Sequence, residues 1–293
     1  MKYLDTKIFF LALFIMVPTT YLLQDKLNEN YLHQIILFSI PLLWPGVAHG
    51  SLDVLIAKKN KLIKNKIDKV FFLLTYLFIP ISFFSLWIIL PNLIFLVFIL
   101  LSILHFGISD SVTSVYKNIE ILIRGLIVII LPFKFYFNDT KIIFSYFFID
   151  EGFLDSIKIY IDFVYLILII LIASFIIVNL KQIRLNKKNL IHMIEIIGIF
   201  FCFCFFQPLI SFFIYFCFLH STRHLLEEKE NLNLTNKTLI IKTLPMTFLT
   251  IIFFAFVFFI FKSDVNDYNL NYVIIGLSSL TVSHILLVNF TKT

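Results

Sequence analysis

Residues 92–109 read NLIFLVFILLSILHFGIS, eighteen positions without one Asp, Glu, Lys or Arg. As a helix rising about 1.5 Å per residue, this run nearly covers the ~30 Å hydrocarbon core of a bilayer. Nine more apolar segments accompany it, at 8–23, 33–57, 70–90, 119–137, 157–180, 190–206, 208–226, 238–261 and 270–290. Hydrophobic residues make up 60% of the chain and charged residues 14%, Phe alone fills 38 positions, and the mean hydropathy is +0.98. A soluble domain carries about 25% charged residues and cannot hide this much apolar surface. Disorder is excluded as well, because disordered chains are poor in such residues. The expected fold class is all-α, a polytopic transmembrane helical bundle of about ten spans (eight to ten), forming a single integral membrane domain over residues 1–293. The first segment follows Lys2 and Lys7 but lacks a small-residue cleavage site, so it reads as a span, with a signal peptide as the alternative.

Charge orients the bundle. With both termini cytoplasmic, the inner side holds Lys2, Lys7, the six lysines of 58–69, Lys117, Lys181, Arg184, Lys187, Lys188, Lys229, Lys237, Lys242 and Lys292. The outer side holds Lys26, Lys134, Lys141, Lys158 and Lys262. Seventeen basic residues against five is a strong inside bias. It supports an even number of spans, and the chain is expected to be a multi-pass protein of the cell inner membrane. The net charge of +6 sits in loops beside spans and implies no nucleic acid partner. Cys202, Cys204 and Cys217 lie in apolar stretches and read as packing residues without a disulfide. The connections at Pro91-Asn92 and Gln207-Pro208 are short enough to join antiparallel neighbours, and the outer loop 138–156 is expected at the interface.

The histidines are concentrated. His33 reads as interfacial, whereas His49, His105, His220, His224 and His284 all fall late in spans that run from outside to inside. They therefore occupy one slab in the cytoplasmic half of the bilayer. Polar side chains at that depth are expensive and face the bundle interior with a partner. Neutral imidazole is a common metal ligand. His220 and His224 are four apart and share one helix face, and His49 and His105 from two other helices complete a set of four. The alternative is histidines hydrogen-bonded one by one between helices. Asp53 and Asp110, four and five residues after His49 and His105, fit carboxylates that accept the outer ring N–H of a ligating histidine, or else residues at the headgroup level. Gly50 and Gly107 permit close helix approach, and Pro45 is expected to break its helix just before His49. Glu120 and Arg124 are expected to pair, His192 and Glu195 to lie near the site or at the interface, and Arg223 to turn away from the metal or snorkel to the inner surface.

Four blocks carry a resemblance: Pro45-Gly46-Val47-Ala48-His49-Gly50-Ser51-Leu52-Asp53, His105-Phe106-Gly107-Ile108-Ser109-Asp110, His220-Ser221-Thr222-Arg223-His224 and Ser283-His284. In this order, over residues 45–284, they resemble the Brp/Blh family of bacterial and archaeal β-carotene 15,15'-dioxygenases. The resemblance implies a membrane-embedded oxidoreductase that cleaves the central double bond of β-carotene with O2, giving two all-trans-retinal. It implies Fe(II) held by His49, His105, His220 and His224, and a functional link to a microbial rhodopsin that takes the retinal. His284, like Asp53 and Asp110, is expected beside the ligand set rather than in it, with a weaker role because Ser283 stands where the family commonly has proline; an extra amino-terminal span would be a second departure. Phe106, beside a ligand, is expected to line the path of a hydrocarbon that enters sideways from the bilayer. The competing class is a polytopic transporter with a histidine-lined polar site, although no inverted repeat is evident. A diiron desaturase is a weaker alternative, because its boxes need about eight histidines and seven occur here.

Overall fold

The computed structural model describes residues 3–113, 116–183, 187–261 and 267–292. Lys2, Arg184 and Lys262, used above to orient the chain, lie outside the described residues. Among the described residues there is helix and no strand. The chain runs through α1 (Leu4–Leu22), the short α2 (Gln24–Glu29) and α3 (Tyr31–Leu37), and α4 (Ser39–Lys59). It continues through α5 (Lys66–Ile89), α6 (Pro91–Asp110), α7 (Lys117–Phe135), α8 (Phe137–Ser145), α9 (Glu151–Ile183) and α10 (Lys187–Phe205). It ends with α11 (Pro208–Asn231), α12 (Asn236–Phe261) and α13 (Asp267–Lys292).

Each apolar segment of the sequence overlaps one long helix. Among the described residues, seven of these helices, α1, α4, α5, α6, α9, α11 and α13, contain stretches long and apolar enough to cross a membrane. α7 falls outside that group because it carries Glu120, Arg124 and Lys134 within its nineteen residues. Proline begins α6 and α11, where its missing N–H costs no helical hydrogen bond, so each tight connection leads directly into a new helix. Asn65 and Asp68 cap α5 reciprocally, with Asp68 N–H donating to Asn65 Oδ1 at 2.8 Å. The 138–156 region is more ordered than a loop. It contains α8, and Lys141 bridges to Asp155 (2.9 Å) and Glu151 (3.2 Å) at the start of α9.

The outward faces are apolar: Phe14, Ile67, Phe71, Phe78, Ile159 and Phe163 are all strongly exposed. Charged groups go inward. Arg124 Nε donates to Glu120 at 2.7 Å, its Nη1 to Glu195 at 2.7 Å, and Arg223 Nη2 to the other Glu195 oxygen at 2.7 Å. Arg223 Nε reaches Asp5 of α1 at 2.6 Å, and Thr6 Oγ1 donates to Glu195. Two guanidiniums and three carboxylates thus tie α1, α7, α10 and α11 together in the interior. Four of the five residues are at least 97% buried, and Asp5 is partly exposed. The expected Glu120–Arg124 pair is present but is one edge of a larger network. Glu195 is its centre rather than an interfacial residue. Arg223 turns away from the histidine rings, to Asp5 and Glu195 and to the Asp110 carbonyl. Removing one partner from such a network leaves a buried charge uncompensated, at a cost of about 3–5 kcal/mol.

α6 and α7 approach each other backbone to backbone. A Cβ built on Gly107 stands 2.2 Å from the Ile121 carbonyl oxygen, and one on Gly125 stands 2.1 Å from the Ile103 carbonyl oxygen. These reciprocal contacts fix α6 against α7 on both sides of His105. Gly50 plays no such part, since its nearest atom is His284 Nδ1 at 3.8 Å, an ordinary contact. The second clasp residue is Gly125.

Two outcomes follow. Gly125→Ala drives a methyl into a carbonyl, so thermal unfolding of the detergent-solubilised protein occurs at lower temperature, with a loss of about 1–3 kcal/mol. Glu195→Ala leaves Arg124 with Glu120 alone and Arg223 with Asp5 alone, so buried positive charge goes partly uncompensated at a cost of up to about 3–5 kcal/mol, read as a lower folded yield on size-exclusion chromatography, whereas Lys158→Ala at an exposed position leaves the yield unchanged.

Candidate metal centre

Three of the histidine-bearing helices are distorted or pinned where the histidines sit. In α4, Trp44 leaves helical geometry (φ −148°, ψ 118°) just before Pro45, because proline disfavours the α region for its predecessor. The chain resumes as a 3-10 turn over Val47–Leu52 that carries His49. In α11, Phe216–Ser221 widen into a π turn that carries His220, and regular helix returns before His224. Such turns re-aim side chains at functional sites. His105 rides on α6, held by the glycine clasp, and His284 on α13.

The structure brings all five side chains together. Ring centroids of His49 lie 5.6 Å from His220, 5.7 Å from His224 and 4.8 Å from His284. His105 lies 5.1 Å from His220 and 5.4 Å from His284, and His224 lies 5.4 Å from His284. All five are at least 91% buried. A metal–nitrogen distance of about 2.1 Å puts an imidazole centroid roughly 3.2 Å from the ion, so two rings about 100–125° apart around it stand about 4.9–5.7 Å from each other. The observed spacings fall in essentially that range.

Each outer nitrogen shows how its ring is aimed. His220 Nδ1 pairs with Asp110 Oδ1 at 3.2 Å, and Tyr215 Oη donates to the other oxygen of Asp110. His284 Nδ1 pairs with Asp53 at 2.9 Å, and Tyr76 Oη donates to Asp53. His49 Nδ1 meets the Gly46 carbonyl and, at 3.4 Å, Ser221 Oγ. The carboxylates therefore do not serve the histidines beside them in sequence; each crosses to a histidine on another helix. Nε2 of His220 and of His284, and Nδ1 of His105, are buried without a hydrogen-bond partner. A buried polar atom left so costs about 1–3 kcal/mol, and a cation among the rings would satisfy those that face it. Neutral imidazoles suit first-row metals such as iron, zinc and copper. On the donor set and the orphaned nitrogens, the residues fit a divalent transition-metal ion. Among the described residues, one ligand atom each from Asp53, His224 and His284 also lie within 4.8 Å of one another.

The remaining expectations sort cleanly. His192 is not in the cluster; its ring packs on Tyr3 at 5.8 Å. His33 is not in the cluster; its Nδ1 meets the Lys26 carbonyl at 2.8 Å. Cys202, Cys204 and Cys217 are free thiols. Phe106 and Phe216 flank His220 at 4.9 and 5.8 Å, and Phe212 stacks on Phe216 at 5.3 Å, giving the histidines an apolar wall. Ser283 donates to the Tyr76 carbonyl at 2.7 Å, so this side chain joins α13 to the helix that supplies Tyr76. The tyrosines carry no spacing signal: Tyr76 is 23 residues from Asp53, and Tyr215 is 105 residues from Asp110.

Residues 40–292 match the family model described as Beta-carotene 15,15'-dioxygenase. A protein of uncultured marine bacterium 66A03, named Beta-carotene 15,15'-dioxygenase, is 28% identical over 252 residues, covering 84% of this chain and 89% of that protein. No solved structure matches the chain. The matched stretch contains all five clustered histidines and both Tyr–Asp pairs, and leaves out α1–α3. On a family match of this extent, the chain belongs to the β-carotene 15,15'-dioxygenase family.

Proposed function

We propose that this protein cleaves the central 15,15' double bond of β-carotene with O2 to give two all-trans-retinal, using Fe(II) held by His49, His105, His220 and His224. The observation that carries this reading is the convergence of histidines from α4, α6 and α11 in an otherwise apolar interior, in a chain of this family. Bound there, Fe(II) would supply the redox chemistry that lets O2 react with a carbon–carbon double bond.

The chain's own residues aim, shield and select. The Tyr215–Asp110 pair holds His220 Nδ1, so Nε2 is the nitrogen presented inward. The Gly46 carbonyl does the same for His49. Phe106, Phe212 and Phe216 exclude water and offer apolar contact to a polyene. Both oxygen atoms end in the two aldehydes, so no proton has to be delivered and no acid–base dyad is required. Shape rather than hydrogen bonding then selects the double bond.

The placement belongs to the same reading: a single multi-pass domain of about ten spans (eight to ten) in the cell inner membrane, with both termini cytoplasmic. The strongly exposed apolar faces of α5 and α9 support it, because lipid is the solvent that tolerates them. The substrate enters from the bilayer, and the retinal goes to a microbial rhodopsin.

The decisive experiment is expression in a β-carotene-producing bacterium, where pigment is bleached and retinal appears on chromatography; persistent pigment with normal protein in the membrane overturns the proposal. His49→Ala, His105→Ala, His220→Ala and His224→Ala each abolish retinal and lower iron per chain, measured by atomic absorption. Asp110→Asn weakens iron binding by about 10–100-fold, measured by competition with a chelator, because the amide no longer holds His220 as a carboxylate does.

A further inference from the structure

The two Tyr–Asp–His chains are the same device built twice. Tyr215 donates to Asp110 and Asp110 accepts from His220; Tyr76 donates to Asp53 and Asp53 accepts from His284. In each the imidazole is held by Nδ1, and in each the buried Nε2 has no hydrogen-bond partner. The device comes from different helices each time: α11 and α6 for His220, and α5, α4 and α13 for His284.

We propose that His284 is a fifth ligand to the metal, through Nε2, with Asp53 and Tyr76 as its positioning residues. The proposal rests on the four-histidine reading above and extends it. Three observations carry it. The His284 ring lies 4.8, 5.4 and 5.4 Å from those of His49, His105 and His224, as close as those rings lie to their other neighbours in the site. The side chain is more than nine-tenths buried, so its unpaired Nε2 has no recourse to water. A carboxylate on the outer nitrogen is the arrangement that fixes tautomer and orientation in metal-bound histidines. Asp53 is engaged at the Nδ1 side of the ring. Both of its oxygens stand 2.9 Å from His284 Nδ1, and one also accepts from Tyr76. Ser283, which pins α13 to the Tyr76 carbonyl, sets the depth of the neighbouring His284.

The test uses the full-length protein in detergent, stripped of metal and reloaded with Co(II), whose visible ligand-field bands report ligand number. The wild type takes one Co(II) per chain. His284→Gly lowers Co(II) affinity by at least about tenfold and changes band position and intensity, and added imidazole restores the wild-type spectrum by filling the vacated place. A role confined to packing predicts altered thermal unfolding with neither the spectral change nor the rescue. Should the glycine variant fail to run as a single species on size exclusion, His284→Gln, which keeps a donor for Asp53, is read in the same way. Tyr76→Phe, which spares every ligand, lowers Co(II) affinity without changing the bands. An unchanged spectrum and affinity in the His284 variants, alongside loss of Co(II) in His220→Ala, overturns the fifth ligand and leaves the four-histidine reading standing. A wild type that takes up no Co(II) overturns both.

Discussion

An imidazole buried in an apolar interior has two nitrogens to satisfy and no water to do it. The whole centre follows from that constraint. At His220, His284 and His49 a carboxylate or carbonyl takes one ring nitrogen, which leaves the other for the neighbours in the cluster. The same constraint explains why the orienting groups are themselves anchored. Asp53 and Asp110 are more than nine-tenths buried, and each is held by a tyrosine hydroxyl as well as by its histidine. Losing any member leaves a polar atom stranded, so the members stand or fall together.

Behind the histidines lies a charged layer. Arg223 separates it from the site: its side chain points away from His224, its guanidinium binds Asp5 and Glu195, and its Nη1 donates to the Asp110 carbonyl at 2.9 Å. The backbone of Asp110 is thus held by the charge network while its side chain holds His220. α1 enters here. It lies outside the family match, yet Asp5 and Thr6 complete the network from the amino-terminal side. This helix is an integral part of the packed interior rather than an appended segment.

Helical distortion supplies the remaining precision. A regular α4 would put His49 on a face set by its neighbours four residues away. The break at Trp44-Pro45 and the tight turn after it rotate the ring into the cluster, next to Phe216 at 5.2 Å. The π turn in α11 does the same for His220. Proline announces the first distortion in the sequence. Nothing in Phe216–Ser221 announces the second, because it arises from packing around the site rather than from local propensity.

Much of this was legible in one dimension. Hydropathy along the chain located every long helix, because an apolar run of about twenty residues has few stable alternatives. Spacing along a chain says nothing, however, about which element lies beside which. The carboxylates next to His49 and His105 in sequence therefore turned out to serve His284 and His220, Gly125 rather than Gly50 made the close approach, and Glu195 became the centre of a network spanning four helices. Sequence determined the helices and their apolar character, both properties of single segments. Tertiary structure alone decided the partners, because lateral contacts between helices depend on packing of side chains hundreds of positions apart.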